Sequence, residues 1–338
     1  MTRGSGGTGR LGHGDWSPQN RPRMISQVFD GEANNLISAP AFTDISATIG
    51  SANGNSMALD TAGNVWTWGW NSGGQLGHGD RVSQYRPRMV SQVYDGETDN
   101  LIPAPVFVEI SSGSNYSIAL DTAGNVWTWG TGELGHGERG NLSYQLRPRM
   151  ISQVFDGVTD NLISAPIFIN ISANRVSNIA LDTTGNIWTW GPLLGHGNTA
   201  NTLRPRIISQ VFDGVTDNLI SAPIFINISA GGRHGMAIDT AGNLWTWGGA
   251  TGGQVGDSPL GHGNTAIQRS PRMISQVFEG VTNYLIFAPV FINVSGGNTH
   301  NMAVDTAGNI WTWGSNGSGQ LGHGNTASLT RPRMISQA

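Results

Sequence analysis

Apolar and polar residues alternate along this chain in short stretches that are separated by turns rich in Gly, Asn and Asp. Such alternation predicts β-strands, because successive side chains of a strand point to opposite faces of a sheet. In residues 65–69, for example, the two Trp side chains share one face, and Val65 and Thr67 share the other. Neither face carries a charge, so we expect sheets that are covered on both sides.

The Trp-containing stretch recurs along the whole chain. Trp-Thr-Trp-Gly occurs at 66–69, 127–130, 188–191, 245–248 and 311–314, and the spacings are 61, 61, 57 and 66 residues. A near-constant spacing of this length predicts a repeat architecture. The repeats lie roughly at 1–63, 64–124, 125–185, 186–242 and 243–308, with a partial repeat at 309–338, and we expect residues 1–338 to form a single domain.

The sequence of each repeat predicts four β-strands, which we call A to D. Strand D carries the Trp pair and leads into a Gly-rich loop that ends in Leu-Gly-His-Gly. Strand A begins at Arg-Pro-Arg, as in 86–94; strand B ends at 106–111, and strand C is 117–120. The C–D turn is Asp-Thr-Ala-Gly-Asn, with Gly where a left-handed backbone is needed. The segment between strands A and B predicts a projecting hairpin or loop.

The order of these motifs resembles the regulator-of-chromosome-condensation (RCC) repeat. The residues that carry the resemblance are Trp-Gly, Gly-Gln-Leu-Gly-x-Gly at 74–79 and 319–324, Arg-Pro-Arg, and Gly-Gly-Arg-His-x-Met-Ala at 231–237. The resemblance covers essentially the whole chain and implies an all-β fold, a β-propeller of four-stranded blades, most often seven. The chain departs from it in the extra segment between A and B and in the low number of repeats.

The paired tryptophans are expected in the core between blades rather than in an aromatic ligand site, because each buries a large apolar area. They are Trp66, Trp68, Trp127, Trp129, Trp188, Trp190, Trp245, Trp247, Trp311 and Trp313.

The strand count is uneven. Residues 1–14 align with a D strand and its loop, so the chain has six D and six A strands but only five B and five C strands. We therefore predict five complete repeats plus an unmatched terminal D and A strand. Four arrangements fit: a closed five-bladed ring with a loose terminal segment, a six-bladed ring with an incomplete blade, neighbouring subunits completed by the surplus strands, and part of a longer repeat array.

Composition excludes several kinds of chemistry. All 18 basic residues are Arg and there is no Cys, so lysine-based catalysis, thiol chemistry and disulfides are excluded. The net charge of −4 gives no reason to expect binding to nucleic acid.

No apolar stretch is long enough to span a membrane, so we expect no membrane insertion. The first residues do not resemble a signal peptide, and the compartment stays open, with an extracellular location favoured only if a leader was removed.

The recurring polar residues are expected to be structural. Six histidines recur in Leu-Gly-His-Gly, but histidines one blade apart would be too far apart to share a metal ion, so no metal site is expected. The Arg-Pro-Arg arginines are expected to pair with carboxylates of neighbouring repeats, including those of the C–D turns. The Asp-Thr-Ala-Gly-Asn turns lack the ligand density of a calcium loop. No catalytic or phosphate-binding motif is present, so we expect neither enzyme activity nor a cofactor.

Two loops differ between repeats, the B–C turn and the D–A loop, and variable loops on a rigid scaffold commonly bind partners. From them we predict a set of partner-binding residues: Trp70, Arg81, Tyr85, Tyr116, Arg139, Tyr144, Arg175, Arg233 and His234. Neutral drift of solvent-exposed loops would give the same variation.

Three functions fit the sequence. The first is a non-enzymatic scaffold that binds a protein partner through these loops on one propeller face. The second is a structural subunit that assembles head to tail into an oligomer or filament through its unpaired terminal strands. The third, a guanine-nucleotide exchange factor, rests on family analogy alone, and the absence of Lys and the negative net charge count against it. Ultraviolet sensing is disfavoured, because ten of the twelve Trp residues belong to the core pairs.

Overall fold

A computed structural model describes residues 2–4, 7, 9–31, 33–48, 54–137, 144–175, 178–192, 195–198, 200–249, 260–280 and 284–335. In these ranges the protein consists of 32 β-strands and contains no helix, so no helical segment of the described chain could cross a membrane.

The strands have the following bounds. They are β1 Thr2–Gly4, β2 Gln19–Arg23, β3 Gln27–Phe29, β4 Leu36–Ser38, β5 Phe42–Ala47, β6 Asn55–Asp60, β7 Val65–Gly69, β8 Gln84–Met89, β9 Gln92–Tyr94, β10 Leu101–Pro103, β11 Phe107–Ser112, β12 Tyr116–Asp121, β13 Val126–Gly130, β14 Gln145–Met150, β15 Gln153–Phe155, β16 Leu162–Ser164, β17 Phe168–Ala173, β18 Asn178–Asp182, β19 Ile187–Gly191, β20 Thr202–Ile207, β21 Gln210–Phe212, β22 Leu219–Ser221, β23 Phe225–Ala230, β24 His234–Asp239, β25 Leu244–Gly248, β26 Gln268–Met273, β27 Gln276–Phe278, β28 Leu285–Phe287, β29 Phe291–Gly296, β30 His300–Asp305, β31 Ile310–Gly314 and β32 Leu329–Met334.

Apart from one two-stranded pair, β1–β2, the described strands form five six-stranded sheets of identical order. Sheet 1 is β4-β3-β8-β7-β6-β5, sheet 2 is β10-β9-β14-β13-β12-β11, sheet 3 is β16-β15-β20-β19-β18-β17, sheet 4 is β22-β21-β26-β25-β24-β23 and sheet 5 is β28-β27-β32-β31-β30-β29. Each sheet therefore has a B strand at one edge, followed by strands C, D and A, and a short hairpin at the other edge.

The prediction of one continuous A strand over residues 86–94 is wrong. The chain turns at Val90 and Ser91, so β8 stays in sheet 1 while β9 joins sheet 2. There β9 pairs in parallel with β14, through Tyr94 and Arg149, and antiparallel with β10. Val93 of β9 is fully buried, which fixes this short strand in the next sheet. The extra segment between strands A and B is thus a hairpin, as expected, and it adds two strands to the following sheet.

The surplus strands both lie at the N-terminus. The C-terminal A strand, β32, pairs with β31 and β27 inside sheet 5. The first D and A strands are β1 and β2, and they pair only with each other, with Thr2 opposite Arg23. The predicted count of five complete repeats plus one unmatched D and A strand is confirmed, and the unmatched pair is β1–β2.

The chain divides into two compact units. Unit 1 is Met1–Val154 with Leu162–Arg175, and unit 2 is Phe155–Asn161 with Val176–Ala338.

Neighbouring sheets within a unit bury one apolar face against the next. In unit 1, Met57 and Val65 of sheet 1 belong to one buried cluster with Phe107 and Trp127 of sheet 2. The Phe107 and Trp127 rings meet edge to face, with centroids 6.3 Å apart. All ten paired tryptophans are at most 3% exposed. The Trp pairs therefore form the core between sheets.

The C–D turn fixes the direction of the first Trp of each pair. In sheet 1, Asp60 Oδ1 accepts hydrogen bonds from the backbone N–H groups of Ala62 and Asn64, both at 2.9 Å. Its Oδ2 accepts the indole N–H of Trp66, also at 2.9 Å. Gly63 has a φ of 81°, a left-handed conformation that favours Gly. One carboxylate thus closes the turn and satisfies the buried indole.

Candidate functional site

Both variable loops lie at the same end of each sheet, which we call the loop end. In sheet 1, Gly69 at the end of strand D pairs with Asn55 at the start of strand C. In sheet 2, the Thr131 amide of the D–A loop donates to the Asn115 carbonyl of the B–C turn, at 2.9 Å. Gly249 and Arg233 make the same contact in sheet 4, at 3.0 Å. The C–D turns lie at the opposite end, because strands C and D are antiparallel.

A buried asparagine holds the D–A loop of sheet 1 in one conformation. Asn71 is fully buried, and its Nδ2 donates to the carbonyl oxygens of Asp80 and Val82, both at 3.1 Å. Its Oδ1 accepts the Leu76 amide at 2.9 Å. Asn316 makes the equivalent contacts in sheet 5. These loops are therefore ordered before any partner arrives, which lowers the entropic cost of binding.

The histidine of Leu-Gly-His-Gly ties this loop to strand D. Thr67 Oγ1 donates its one proton to the Leu76 carbonyl at 2.6 Å, so its contact of 2.9 Å with His78 Nε2 requires that this nitrogen carry the donated proton. Burial, together with nearby Arg88 and Arg147, lowers the pKa of His78 to about 3, so the ring is neutral at pH 7.

Equivalent Thr–His contacts recur at 2.8–3.0 Å for His13, His136, His196, His262 and His323. No three His, Asp or Glu side chains of the described ranges are grouped as a metal site would require. The geometry supports a structural role for this histidine.

The arginines of Arg-Pro-Arg divide into two groups. In sheets 2, 3 and 4 the second arginine pairs with an aspartate of the edge hairpin, as in Arg149–Asp99 at 2.9 Å. In sheet 1 the second arginine, Arg88, pairs with Asp80 of the D–A loop at 3.5 Å. The expectation that the C–D turn aspartates also take part is wrong for the described turns, because Trp, Asn and backbone donors occupy those carboxylates. The first arginine lies against glycine instead: a Cβ on Gly79 would fall 2.5 Å from the Arg147 guanidinium.

Aromatic and arginine side chains meet across repeats at the loop end of unit 1. Trp16, in the loop between β1 and β2, packs against Tyr85 at the start of β8, with ring centroids 4.9 Å apart and the ring planes inclined by 32°. Arg81, at the equivalent loop position of the next repeat, lies over the ring of Tyr144, with Cζ 4.0 Å from the centroid. Trp16 is 56% exposed and Tyr144 is 38% exposed.

Ser72 links Trp70, the remaining predicted residue of this surface, to Arg81. Its hydroxyl accepts the indole N–H of Trp70 at 2.6 Å, and its carbonyl accepts Arg81 Nε at 2.5 Å. Trp70 and Arg81 are thereby brought together on one loop. We call Trp16, Trp70, Arg81, Tyr85 and Tyr144 the aromatic–arginine surface.

Two predicted partner-binding residues are buried, which corrects the expectation that they face a partner. Tyr116 is 4% exposed and donates its hydroxyl proton to the Asn174 carbonyl at 2.8 Å, and burial raises its pKa. His234 is 1% exposed and contacts Asn301 Oδ1 at 2.7 Å, and burial lowers its pKa to about 4. Both begin a C strand and point at the neighbouring repeat rather than at solvent.

Three predicted partner-binding residues remain: Arg175, Arg233 and Arg139. Arg175 in unit 1 and Arg233 in unit 2 are exposed at B–C turns. Arg139 lies outside the described residues. Sequence reasoning missed Trp16, although two signals were available: it is one of the two tryptophans outside the pairs, and it has the same offset from Leu-Gly-His-Gly as Arg81.

The family model of the RCC1-like domain matches residues 1–338, the whole chain. The protein belongs to this family. The family match confirms the fold class expected from the repeats, an all-β propeller of RCC-type blades.

Similar proteins include the E3 ubiquitin-protein ligase HERC2 of Mus musculus, 26% identical over 337 residues, which are 98% of this chain and 6% of HERC2. The ultraviolet-B receptor UVR8 of Arabidopsis thaliana is 25% identical over 335 residues, which are 98% of this chain and 64% of UVR8. The solved structure of human WBSCR16 aligns with a TM-score of 0.58 and 18% identity, over 84% of this chain and 65% of that one, and this likeness concerns the fold alone. This RCC1-like chain thus spans less than two thirds of each of these relatives.

Proposed function

We propose that this RCC1-like domain is a non-enzymatic interaction scaffold, and that the aromatic–arginine surface of unit 1 binds a protein partner. The observation that carries the proposal is the pair of contacts that join successive repeats, Trp16 on Tyr85 and Arg81 on Tyr144. Both contacts leave large side chains partly exposed, and buried hydrogen bonds of Asn71 hold the loop that carries Arg81. Trp, Tyr and Arg are the residues most enriched at the energetic centres of protein interfaces.

The charge of this surface narrows the class of partner. Within the described residues, the Arg81 guanidinium contacts the Ser72 carbonyl and the Tyr144 ring and forms no ion pair. Its positive charge is therefore available to a partner, and a guanidinium that stacks on an aromatic ring can still bind a carboxylate through its free edge. We propose a partner surface that combines a carboxylate with an apolar pocket for Trp16.

Affinity capture followed by quantitative mass spectrometry tests this proposal. The test variant combines Trp16→Ala, Arg81→Ala and Tyr144→Ala, and the matched control combines Thr61→Ala and Thr122→Ala, exposed residues of the C–D turns at the opposite end. We expect the control to retain a set of captured proteins that the test variant loses, and each retained protein to bind the variant at least about 30-fold more weakly in purified form. Equal capture by both variants contradicts the assignment of the surface.

We also propose self-association as a second candidate function. The observation that favours it is the β1–β2 pair, which forms a two-stranded sheet and joins none of the five six-stranded sheets of the described strands. The C-terminal A strand is not available for completing a neighbour, because β32 pairs on both sides within sheet 5. Sedimentation velocity over a range of protein concentrations tests the proposal, and a monomer at every concentration contradicts it.

A further inference from the structure

Cavities lined by equivalent residues lie between the A strands of successive sheets, one inside each unit. In unit 1, a cavity of about 380 Å³ between sheets 1 and 2, which we call cavity 1, is lined by His78, Arg88, Ser91, Gln92 and Arg147. In unit 2, a cavity of about 300 Å³ between sheets 4 and 5, cavity 2, is lined by His262, Arg272, Ser275, Gln276 and Arg331. Each cavity therefore receives two guanidinium groups, from strand A of either sheet.

Cavity 1 has more positive charge than its neighbours compensate. Arg88 Nη1 lies 3.5 Å from the Asp80 carboxylate, and its Nη2 donates to the Gly31 carbonyl at 3.2 Å. The Nε of Arg88 is buried and has no acceptor among the described residues. Within the same residues, the Arg147 guanidinium forms no ion pair. One positive charge and a buried N–H donor are thus left without a partner.

Cavity 2 has the same balance of charges. Arg272 pairs with Asp217 at 2.6 Å, whereas Arg331 forms no ion pair within the described residues. The hydrogen bond from Arg331 Nη1 to the Gln276 carbonyl is long, 3.5 Å. Burial and the nearby positive charge of Arg272 lower the pKa of Arg331, which shows that the two cations disfavour each other. An anion between them would remove this unfavourable interaction.

A third cavity, between sheets 3 and 4 of unit 2, lacks the second buried arginine. It has a volume of about 490 Å³ and is lined by His196 and Arg206 among others. The residue before the proline of β26 is Ser270, 7% exposed, where the other two cavities have arginine. Arg269 lies one position earlier in the strand and is exposed. A Cβ on Gly197, beside this position, would come no closer than 3.8 Å to Ser270 Oγ, so there is room for a larger side chain.

The histidines show the same difference between the cavities. Burial and both arginines of its cavity lower the pKa of His78 to about 3, and the same causes lower the pKa of His262 to about 3. The pKa of His196 is lowered to about 4, by burial and by Arg206. All three rings are neutral at pH 7, so the arginines supply the positive charge of the cavities.

We propose that cavities 1 and 2 each bind a tetrahedral oxyanion, phosphate or sulfate, between their two guanidinium groups. A carboxylate has two oxygens in one plane, which a single guanidinium can occupy. A tetrahedral oxyanion has oxygens that point in several directions, which suits two arginines from different sheets. The site goes beyond both proposed functions and depends on neither, because no residue of the aromatic–arginine surface lines these cavities.

The chain itself provides the substitutions that test this site. The loss variant combines Arg147→Ser with Arg331→Ser and gives cavities 1 and 2 the serine that the third cavity already has. The gain variant is Ser270→Arg, which gives the third cavity its second guanidinium. The matched control combines Arg175→Ser with Arg233→Ser, exposed residues of B–C turns, and removes the same charge. Near-ultraviolet circular dichroism checks that each variant folds.

Nuclear magnetic resonance of the full chain, labelled at its histidine rings, follows each cavity separately. The probes are sodium phosphate and sodium sulfate for the free ions and phenyl phosphate for a phosphate monoester. Sodium chloride at matched ionic strength is the control for general screening of charges. The monoester arm identifies the source of the oxyanion: binding tighter than that of inorganic phosphate indicates a phosphate carried on a larger molecule.

We expect phosphate and sulfate to shift the His78 and His262 signals saturably in the unmodified chain and in the control variant. The dissociation constant should rise at least about 10-fold in the loss variant, because each cavity loses a charged hydrogen-bond donor. In the Ser270→Arg variant the His196 signal should also respond saturably to the oxyanions.

Three results would overturn the proposal. The first is a chain whose His78 and His262 signals respond to phosphate and sulfate no more than to chloride. The second is a folded loss variant that binds the oxyanions as tightly as the unmodified chain does. The third is a folded Ser270→Arg variant whose His196 signal is unchanged by the oxyanions, since a second guanidinium would then not create a site.

Discussion

Single side chains in this protein have the same surroundings in repeat after repeat, so departures from the shared residue are informative. The third residue of strand B is Asn170, Asn227 or Asn293 in three repeats, but Glu109 in sheet 2. Glu109 Oε2 accepts the Ile171 amide at 3.1 Å. Burial, assisted by the nearby Asp44 carboxylate, raises the pKa of Glu109 to about 7 despite this hydrogen bond. The folded protein thus holds a carboxyl group that it prefers to keep protonated.

Glu109→Gln is expected to stabilise the protein at high pH more than at low pH. The folded pKa lies above the ordinary value of 4.5, so the stability that depends on protonated Glu109 is complete below pH 4.5 and is lost as the pH rises towards 7. Gln stays neutral and keeps an oxygen for the Ile171 amide. The gain in the free energy of unfolding should be larger at pH 8 than at pH 5 by on the order of 2 kcal/mol, measured by urea denaturation. The control is Glu97→Gln, an exposed hairpin residue; an identical pH dependence in both variants would contradict the prediction.

Elements are joined in each repeat by a small number of buried polar contacts. The Thr of Trp-Thr-Trp-Gly occupies the strand face opposite the tryptophans, and it connects strand D to the Leu-Gly-His-Gly turn. Pro87 in strand A cannot donate a hydrogen bond, and the pairing of β7 with β8 has a register shift there. The D–A loop is therefore anchored by side chains as much as by the strand ladder. This anchoring keeps the aromatic–arginine surface in place.

Thr67→Val is expected to loosen this loop and to destabilise unit 1. Valine has nearly the same shape but leaves the Leu76 carbonyl and His78 Nε2 without their hydroxyl partner in a buried site. The expected cost is about 1–3 kcal/mol in the free energy of unfolding, measured by chemical denaturation. Thr122→Val at an exposed C–D turn is the control and should change stability by less than about 0.5 kcal/mol. Equal free energies of unfolding for the two variants would contradict a stabilising role of the Thr67 hydroxyl.

At the scale of the whole molecule, each sheet depends on its neighbours for burial. In a repeat protein the free energy of folding is approximately the sum of a contribution from each repeat and a contribution from each interface between neighbouring repeats. Within unit 2, Phe291 and Trp311 of sheet 5 are buried against sheet 4, whereas Met302 and Ile310 on the other face of sheet 5 are each 45% exposed. Within unit 2, sheet 5 therefore buries less apolar surface than sheet 4 does, and it should open locally before sheet 4.

Native-state hydrogen exchange is expected to show that sheet 5 opens more readily than sheet 4. Amides of β30 should exchange faster than the equivalent amides of β24, although the two strands have nearly the same sequence and hydrogen bonds. The comparison is made within one protein at low concentration, so that self-association does not cover Met302 and Ile310. Equal protection of the two strands would contradict the prediction that sheet 5 opens locally before sheet 4.

The sequence by itself determined the repeat, the strand type and the residues of the core. Period-two alternation and the five Trp-Thr-Trp-Gly motifs are local signals, and the backbone geometry of strands and Gly-containing turns follows from them directly. The excess of D and A strands over B and C strands could also be predicted from the sequence, because an alignment of the chain with itself shows it. These features depend on residues close in sequence, so they need no knowledge of the tertiary structure.

Only the tertiary structure decided which sheet each strand joins and which loop residues face solvent. β9 continues directly from β8 in sequence, and only its pairing with β14 places it in the next sheet. Tyr116 and His234 resemble exposed anchors in composition, yet they point at the neighbouring repeat, while Trp16 gains its position from Tyr85 in the following repeat. The physical reason is the same in each case. Burial and strand pairing here join residues of adjacent repeats, so the sequence of one repeat does not determine which of its residues a neighbouring repeat will cover.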